Sequence, residues 1–584
     1  MATSSEKTGG GGGGVGIAAV ATAGAVAAGI VLSARALSGA GEATASVSAA
    51  EAARFLTQCT FGVTDADIVD VRGLGYADWL DGQMAMKPFS MLAAVRQRLA
   101  TQTPYRTDEH GAYVESFWTG AIKRPDQLRQ RMQFALSQIF VVSRETEELE
   151  FNGSLGTTNY YDLLGANAFK NWRNLLEIVT LNPMVGIFLS FVKNDKEDPA
   201  TGRTPDENYA REIMQLFSIG TILLNQDGTP QLDANGATIP TYSHDGDIAG
   251  LAKVFTGISW FSPTPDDGTF LSSAYSYFDK GGQNGNPVQM MYYPTHHSLS
   301  EKKFLGVTIP ASATSNPAGD VKIALDALFH HQNTAPYFAK RLIQQFVTSN
   351  PTPAYVSRVA AMFGDNGQGV RGDMGAVLKA ALLDADARNT AAAQGDPNFG
   401  KLREPMIRVT NWGRAFSARS KNGHFSIGET GSPSLLSQGI LDAPSVFNFW
   451  RAGYVPPHTR IADAGMVAPE MQVLSELSAA AYANLMQSAV TAGIGTNQIT
   501  FSGSDVLSDY TQEIAIAADT NALLDRLNLL LFYGQMSAGL RSRIFTPVNA
   551  IALPTTGSTT TARTNRTKLA VLLSLVSGEY LTQR

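Results

Sequence analysis

The chain has 584 residues, 44% of them hydrophobic and 16% charged, with a formal net charge of −6. That apolar fraction excludes disorder over most of the length, and the mild acidic balance argues against nucleic acid as the main partner. The single cysteine, Cys59, excludes an internal disulfide and any CxxC or Cys/His zinc spacing.

The first element in chain order is a run of glycines at 9–14, followed by Ala, Val, Ile and Leu through Leu32. The apolar run has the length of a long signal-peptide core, or just enough to span a bilayer. Small-x-small sites follow at Ser38-Gly39-Ala40 and Ala43-Thr44-Ala45. Residues 1–45 are therefore expected to be a leader. Export with cleavage is the first reading and an uncleaved anchor through residues 15–32 the second. A Gly/Ala-rich leader on a cytosolic protein is the third. The expected location is periplasmic or extracellular, with a membrane met only through the leader.

From about residue 50 onward helical spacing dominates. Residues 50–59 and 64–84 show it, 126–142 more strongly, then 160–169 and 173–180. Thr204-Pro205-Asp206-Glu207 reads as a capping box, which predicts a helix closed by Gly220. Further helices are expected at 334–347, 353–363, 372–384, 405–418, 470–486 and 568–576. Thr221–Asn225 and Ala237–Tyr242, with turn signals between them, predict a small hairpin at 221–242. Residues 263–294 read as a long loop, with Trp260, Phe261, Tyr275, Tyr277, Tyr292 and Tyr293 in or beside it. The predicted fold is mainly α: a large multi-helix body with a β-hairpin elaboration and a long aromatic-rich loop. Residues 46–390 are expected to form the main lobe. Residues 391–584 are expected to pack on it as a C-terminal helical lobe, since no clear polar linker separates the two.

Several phrases, taken together in order, resemble the bacterial DUF1800 family. They include RFLTQCTFG (54–62), QLRQRMQFALSQIFVVS (127–143), PDENYAREIMQLFSIG (205–220), KRLIQQF (340–346), KLREPMIRV (401–409), PSVFNFW (444–450) and SGEYLTQR (577–584). Cys59 stands where the family carries a small residue such as Ala, and Gly578 where Pro is usual. The resemblance implies export. It also implies a partner of the exported DUF1501 type, whose members resemble sulfatases. It brings no activity to transfer.

At 100° per residue on the helix 205–219, Asn208, Arg211, Glu212, Gln215 and Ser218 share one arc. The arc is rich in amides and holds no Lys, so it is expected to line a cleft or a buried network; a wet amphipathic face is the alternative. On 126–142, Arg131 and Gln138 share a face with Leu128, Phe134, Ala135 and Ile139. A buried Arg needs a carboxylate. Glu207, Glu212 and Glu404 are the candidates, and Glu212 is the expected partner. His297 and His331 lack HxxxH or HxH spacing, so loop or cap hydrogen bonds are expected of them and no metal or cofactor is. No GxSxG elbow and no Walker A loop occurs. Two function classes stay open. One is a secreted assembly or binding protein acting with a sulfatase-like partner. The other is an exported hydrolase using carboxylates around Glu212, on a polymeric or carbohydrate substrate.

Overall fold

Ser48 and Glu51 satisfy each other's backbone donors and start α1 (Ala49–Cys59), whose residues from Ala52 onward are all buried. The computed structural model describes residues 47–101, 109–146, 149, 154–272, 288–497 and 502–584. The expected leader lies outside these residues, as do Tyr275 and Tyr277. Gly75, at φ +79°, breaks the helix expected over 64–84 into Asp65–Leu74 and Tyr76–Ala85.

The helices α2 (Glu109–Lys123), α3 (Gln127–Ser137), α4 (Ser154–Ala166) and α5 (Trp172–Thr180) come next, and α4 packs on both α2 and α3. Every residue of α3 is buried, charged ones included, so each charge there needs an internal partner. Arg129 finds backbone carbonyls, donating to Gly165, Met84 and Met86.

The helix α6 (Asn208–Glu212) corrects the sequence reading. The capping box at Thr204 does not form, and Asp206 Oδ1 instead accepts from the Asn208 N–H at 2.8 Å. After Glu212 the helix widens into a π-helical turn, Ile213–Ser218, and ends at Gly220 with φ +71°. Segment 221–242 is an antiparallel meander of isolated bridges, Ile222 to Pro240, Leu224 to Pro230 and Leu232 to Thr238. In the aromatic loop, Trp260 and Tyr293 are buried, and Tyr293 donates to the Trp260 carbonyl at 2.6 Å. That tucks these rings onto the body.

A hairpin of β1 (Lys302–Phe304) and β2 (Val307–Ile309) turns through Leu305 and Gly306, both at positive φ. Leu-Gly is not a turn signal, so the sequence conceals it. The helices α7 (Pro317–His330), α8 (Thr334–Phe346) and α9 (Pro353–Gly364) follow, and α8 packs on α9. Next come β3 (Lys401–Leu402), α10 (Pro405–Ala415), α11 (Glu476–Thr491), α12 (Thr520–Phe532) and α13 (Thr560–Leu575). The last element, β4 (Thr582–Gln583), pairs with β3. The last long helix starts at Thr560, eight residues before the expected 568, so the Thr-rich stretch leading into it is partly helical. Among the described residues sheets are two-stranded and helix dominates, so the fold is mainly α.

One continuous hydrophobic core runs from Ala52 to Tyr580 and holds Trp118, Trp172 and Trp412 fully buried. The contacts knit Val47–Arg584 into one compact unit. α1 packs on α12, and Arg54 Nε donates to the Arg584 carbonyl at 2.9 Å. A smaller cluster of Val141, Ala443, Phe449 and Trp450 anchors the loop after Leu441 beside the end of α3. Among the described residues no helix is long and apolar enough to cross a membrane.

Candidate functional site

Arg131 is 2% exposed and meets Glu404, not Glu212: its Nη2 lies 3.2 Å from Glu404 Oε1 and 2.6 Å from the Gln345 carbonyl. Glu404 is fully buried as the residue preceding α10, where the helix dipole favours an anion. Lys401 stands 3.6 Å from the same carboxylate and 2.9 Å from Glu470. The second oxygen, Oε2, accepts from Gln138 Nε2 at 2.7 Å and Gln438 Nε2 at 2.9 Å. Burial works against the charged form, yet Arg131 and Lys401 hold the Glu404 carboxyl below its ordinary range. Glu470 goes the other way, because burial outweighs the Lys401 cation and one of its oxygens has no partner.

The residues of the expected arc on α6 take separate hydrogen-bond partners. Asn208 binds Asp206 and Ser190, the latter at 3.4 Å. Arg211 pairs with Glu207 at 3.5 Å on the surface. Gln215 Oε1 accepts from the Tyr242 hydroxyl at 3.3 Å, and Ser218 turns back to the Ile213 carbonyl. The π-helical turn begins only after Glu212, so it changes the 100° count for Gln215 and Ser218 alone, and Arg211, Glu212 and Gln215 all lie near Tyr242. Glu212 itself is 5% exposed, and its Oε2 has no hydrogen-bond partner. Burial raises its carboxyl, and the neighbouring Arg211 only partly opposes this.

The structure does bring Gln138 and Gln215 to one open cleft of about 340 Å³. Ile139, Leu216, Tyr337, Arg341, Phe447, Asn448 and Arg451 also line it. The π-helical turn presents its carbonyls here, and Tyr337 donates to those of Gln215 and Leu216 at 3.3 and 3.0 Å. Gly220 completes the wall. A Cβ there would lie 2.9 Å from the Tyr337 ring, and φ +71° suits glycine. Asn448, buried at φ +67°, donates to Gln138 Oε1 at 3.1 Å. Asn accepts that left-handed backbone at lower cost than most residues. Gln138 thus joins the two features, one face on the cleft and its amide on Glu404.

His297 stands elsewhere. It is buried, with Nε2 3.0 Å from Asp320 and Nδ1 2.9 Å from the Thr256 carbonyl. Lys302 completes that group, 2.9 Å from Asp320. Among the described residues no set of three or more His, Cys, Asp or Glu side chains is arranged to hold a metal ion. Asp365–Gly369 is a turn in which Asp365 Oδ1 caps the Gly367 and Gly369 N–H groups, and Cys59 is free and buried. Sequence reasoning missed Tyr337, Arg341, Asn448 and Arg451. Arg341 and Tyr337 sit four apart on α8, so helical spacing carried a signal for them. Asn448 and Arg451 lie on a loop and carried none.

A family model described as a protein of unknown function, DUF1800, matches residues 54–582. No curated protein and no solved structure matches the chain.

Proposed function

The chain belongs to the DUF1800 family, and from that premise we propose that it is an exported binding or assembly protein that takes its ligand in the cleft between Gln138, Gln215, Tyr337 and Asn448. The observation that carries this reading is how the polar groups divide. Glu404, behind the cleft, is consumed by Arg131, Lys401, Gln138 and Gln438. The cleft wall holds amides, a phenol and guanidinium groups, which orient a ligand without reacting with it. Export rests on the apolar run through Leu32 and the small-x-small sites after it. The partner in this reading is the sulfatase-like exported protein that the family resemblance implies.

A hydrolase built on Glu212 is the second reading. It draws on the buried carboxyl with its partnerless Oε2 and raised pKa, a state suited to a general acid.

Turnover of chromogenic glycosides and esters by the wild type and Glu212→Gln separates the two. The binding reading expects no turnover that depends on Glu212. Turnover lost in Glu212→Gln at unchanged melting temperature overturns it and installs the hydrolase. Mass spectrometry of protein from its native host checks export, with a mature terminus expected between Arg35 and Ser48. An intact Met1 or Ala2 in the cytosolic fraction would overturn export.

A further inference from the structure

Hydrogen-bonding capacity in the cleft is lopsided. Gln138 donates one N–H to Glu404 and accepts from Asn448. Tyr337 commits its proton to the Gln215 and Leu216 carbonyls. Gln215 accepts from Tyr242 through Oε1, which leaves its Nε2 amide with two donors to offer. Arg341 makes one long bond, 3.4 Å, to the Gln138 carbonyl, and its Nε is buried without a partner. The Arg451 backbone N–H is bound to Gln472, while its guanidinium lies 5.0 Å from the centre of the Phe447 ring. Among the described residues no carboxylate lines the cleft. Against these donors stand the Asn448 amide oxygen, the Thr221 hydroxyl and the Gln215 and Leu216 carbonyls, which Tyr337 already occupies. In a chain of net charge −6, this wall has the opposite sign. A ligand that satisfies it brings acceptors and negative charge.

We propose that the cleft binds an acidic sugar of the uronate type, with its carboxylate held by Arg341 and Arg451. The proposal rests on the binding reading above and names its ligand class. A guanidinium fork matches a carboxylate with two parallel bonds. Phe447 is 37% exposed beside Arg451, and its ring offers the apolar face on which a sugar ring stacks. The Gln215 amide donates to sugar hydroxyls, and the Asn448 oxygen accepts from them. The hydrogen bond from Asn448 to Gln138 fixes the loop that carries Phe447 and Arg451 before any ligand arrives.

The test is calorimetric titration of the full chain with tri-galacturonate, maltotriose, hexaglutamate and inorganic sulfate. Tri-galacturonate is expected to bind. Its affinity is expected to fall as sodium chloride rises from about 20 to about 300 mM. Arg341→Gln and Arg451→Gln are each expected to weaken it by about tenfold. Arg451 is exposed, so its variant keeps the test valid if Arg341→Gln fails to fold. Equal binding of maltotriose, or tri-galacturonate binding unchanged in Arg451→Gln, overturns the anion assignment. Equal binding of hexaglutamate or sulfate overturns the sugar. No binding of tri-galacturonate overturns the proposal outright. Maltotriose binding that is lost in Gln215→Ala sinks the anion but keeps the cleft as a binding site. Cleavage of tri-galacturonate that is lost in Glu212→Gln sinks the binding reading itself.

Discussion

Glu404 and Glu212 are both buried helix carboxylates, and they have opposite fates. Glu404 has two cations and two amides around it and stays charged. Glu212 has a partnerless oxygen and a raised pKa. Glu404 is the more deeply buried of the two, yet its carboxyl is the lowered one, so partners decide the direction. Placement decides the partners. Glu404 sits at a helix N-terminus against α3, an element with no exposed face. Glu212 sits at the end of α6, where the helix passes into a π-helical turn, with Arg211 as the cation beside it. The ionic cluster is a structural keystone behind the cleft, whereas the cleft wall keeps its polar capacity for something else.

The comparison breaks most readily at Glu404. Glu404→Gln leaves Arg131 and Lys401 buried without their counter-charge and is expected to destabilise the fold by about 3–5 kcal/mol in urea unfolding. A smaller loss would mean the cluster is not the keystone. Its sign with pH follows from a depressed carboxyl. The contribution is present above the ordinary value of 4.5 and is lost as pH falls through the lower folded value. Glu404→Gln should therefore flatten the acid limb of the stability profile.

Arg131→Met combined with Glu404→Gln sharpens the pairing. The double variant is expected to recover at least about 1 kcal/mol relative to the sum of the single losses. Strict additivity would show that the two act independently.

On the cleft side the effects shrink. Tyr337→Phe removes the donor to the Gln215 and Leu216 carbonyls and should cost about 1 kcal/mol by chemical unfolding. No loss at all would mean that water serves those carbonyls equally well.

Glu212→Gln is expected to have the smallest effect, a gain of up to about 1 kcal/mol at pH 8 and none at pH 4. A raised carboxyl gives stability that is fully present below 4.5 and is lost as pH rises through the folded value. Removing it lifts the alkaline side only. Loss of stability at pH 8 would place Glu212 in a partnered network and erase its contrast with Glu404.

The sequence by itself settled the helical class, most helix positions and the need of Arg131 for a carboxylate, because apolar periodicity and the cost of an unpaired buried charge are local or near-local facts. It also singled out Gln138 and Gln215, which line the same cleft. It could not choose among Glu207, Glu212 and Glu404, since Arg131 and Glu404 are 273 positions apart and only packing brings them to 3.2 Å. It placed Asn208, Arg211, Glu212 and Gln215 on one arc of a regular helix, and it did not show that the helix widens into a π-helical turn at Ile213–Ser218. Asn448, Phe447 and Arg451 stand on a loop with no period to read, and the small apolar cluster of Val141, Ala443, Phe449 and Trp450 that anchors it assembles only in three dimensions. Local periodicity thus fixed the elements, while long-range contacts of low sequence signal fixed the partners.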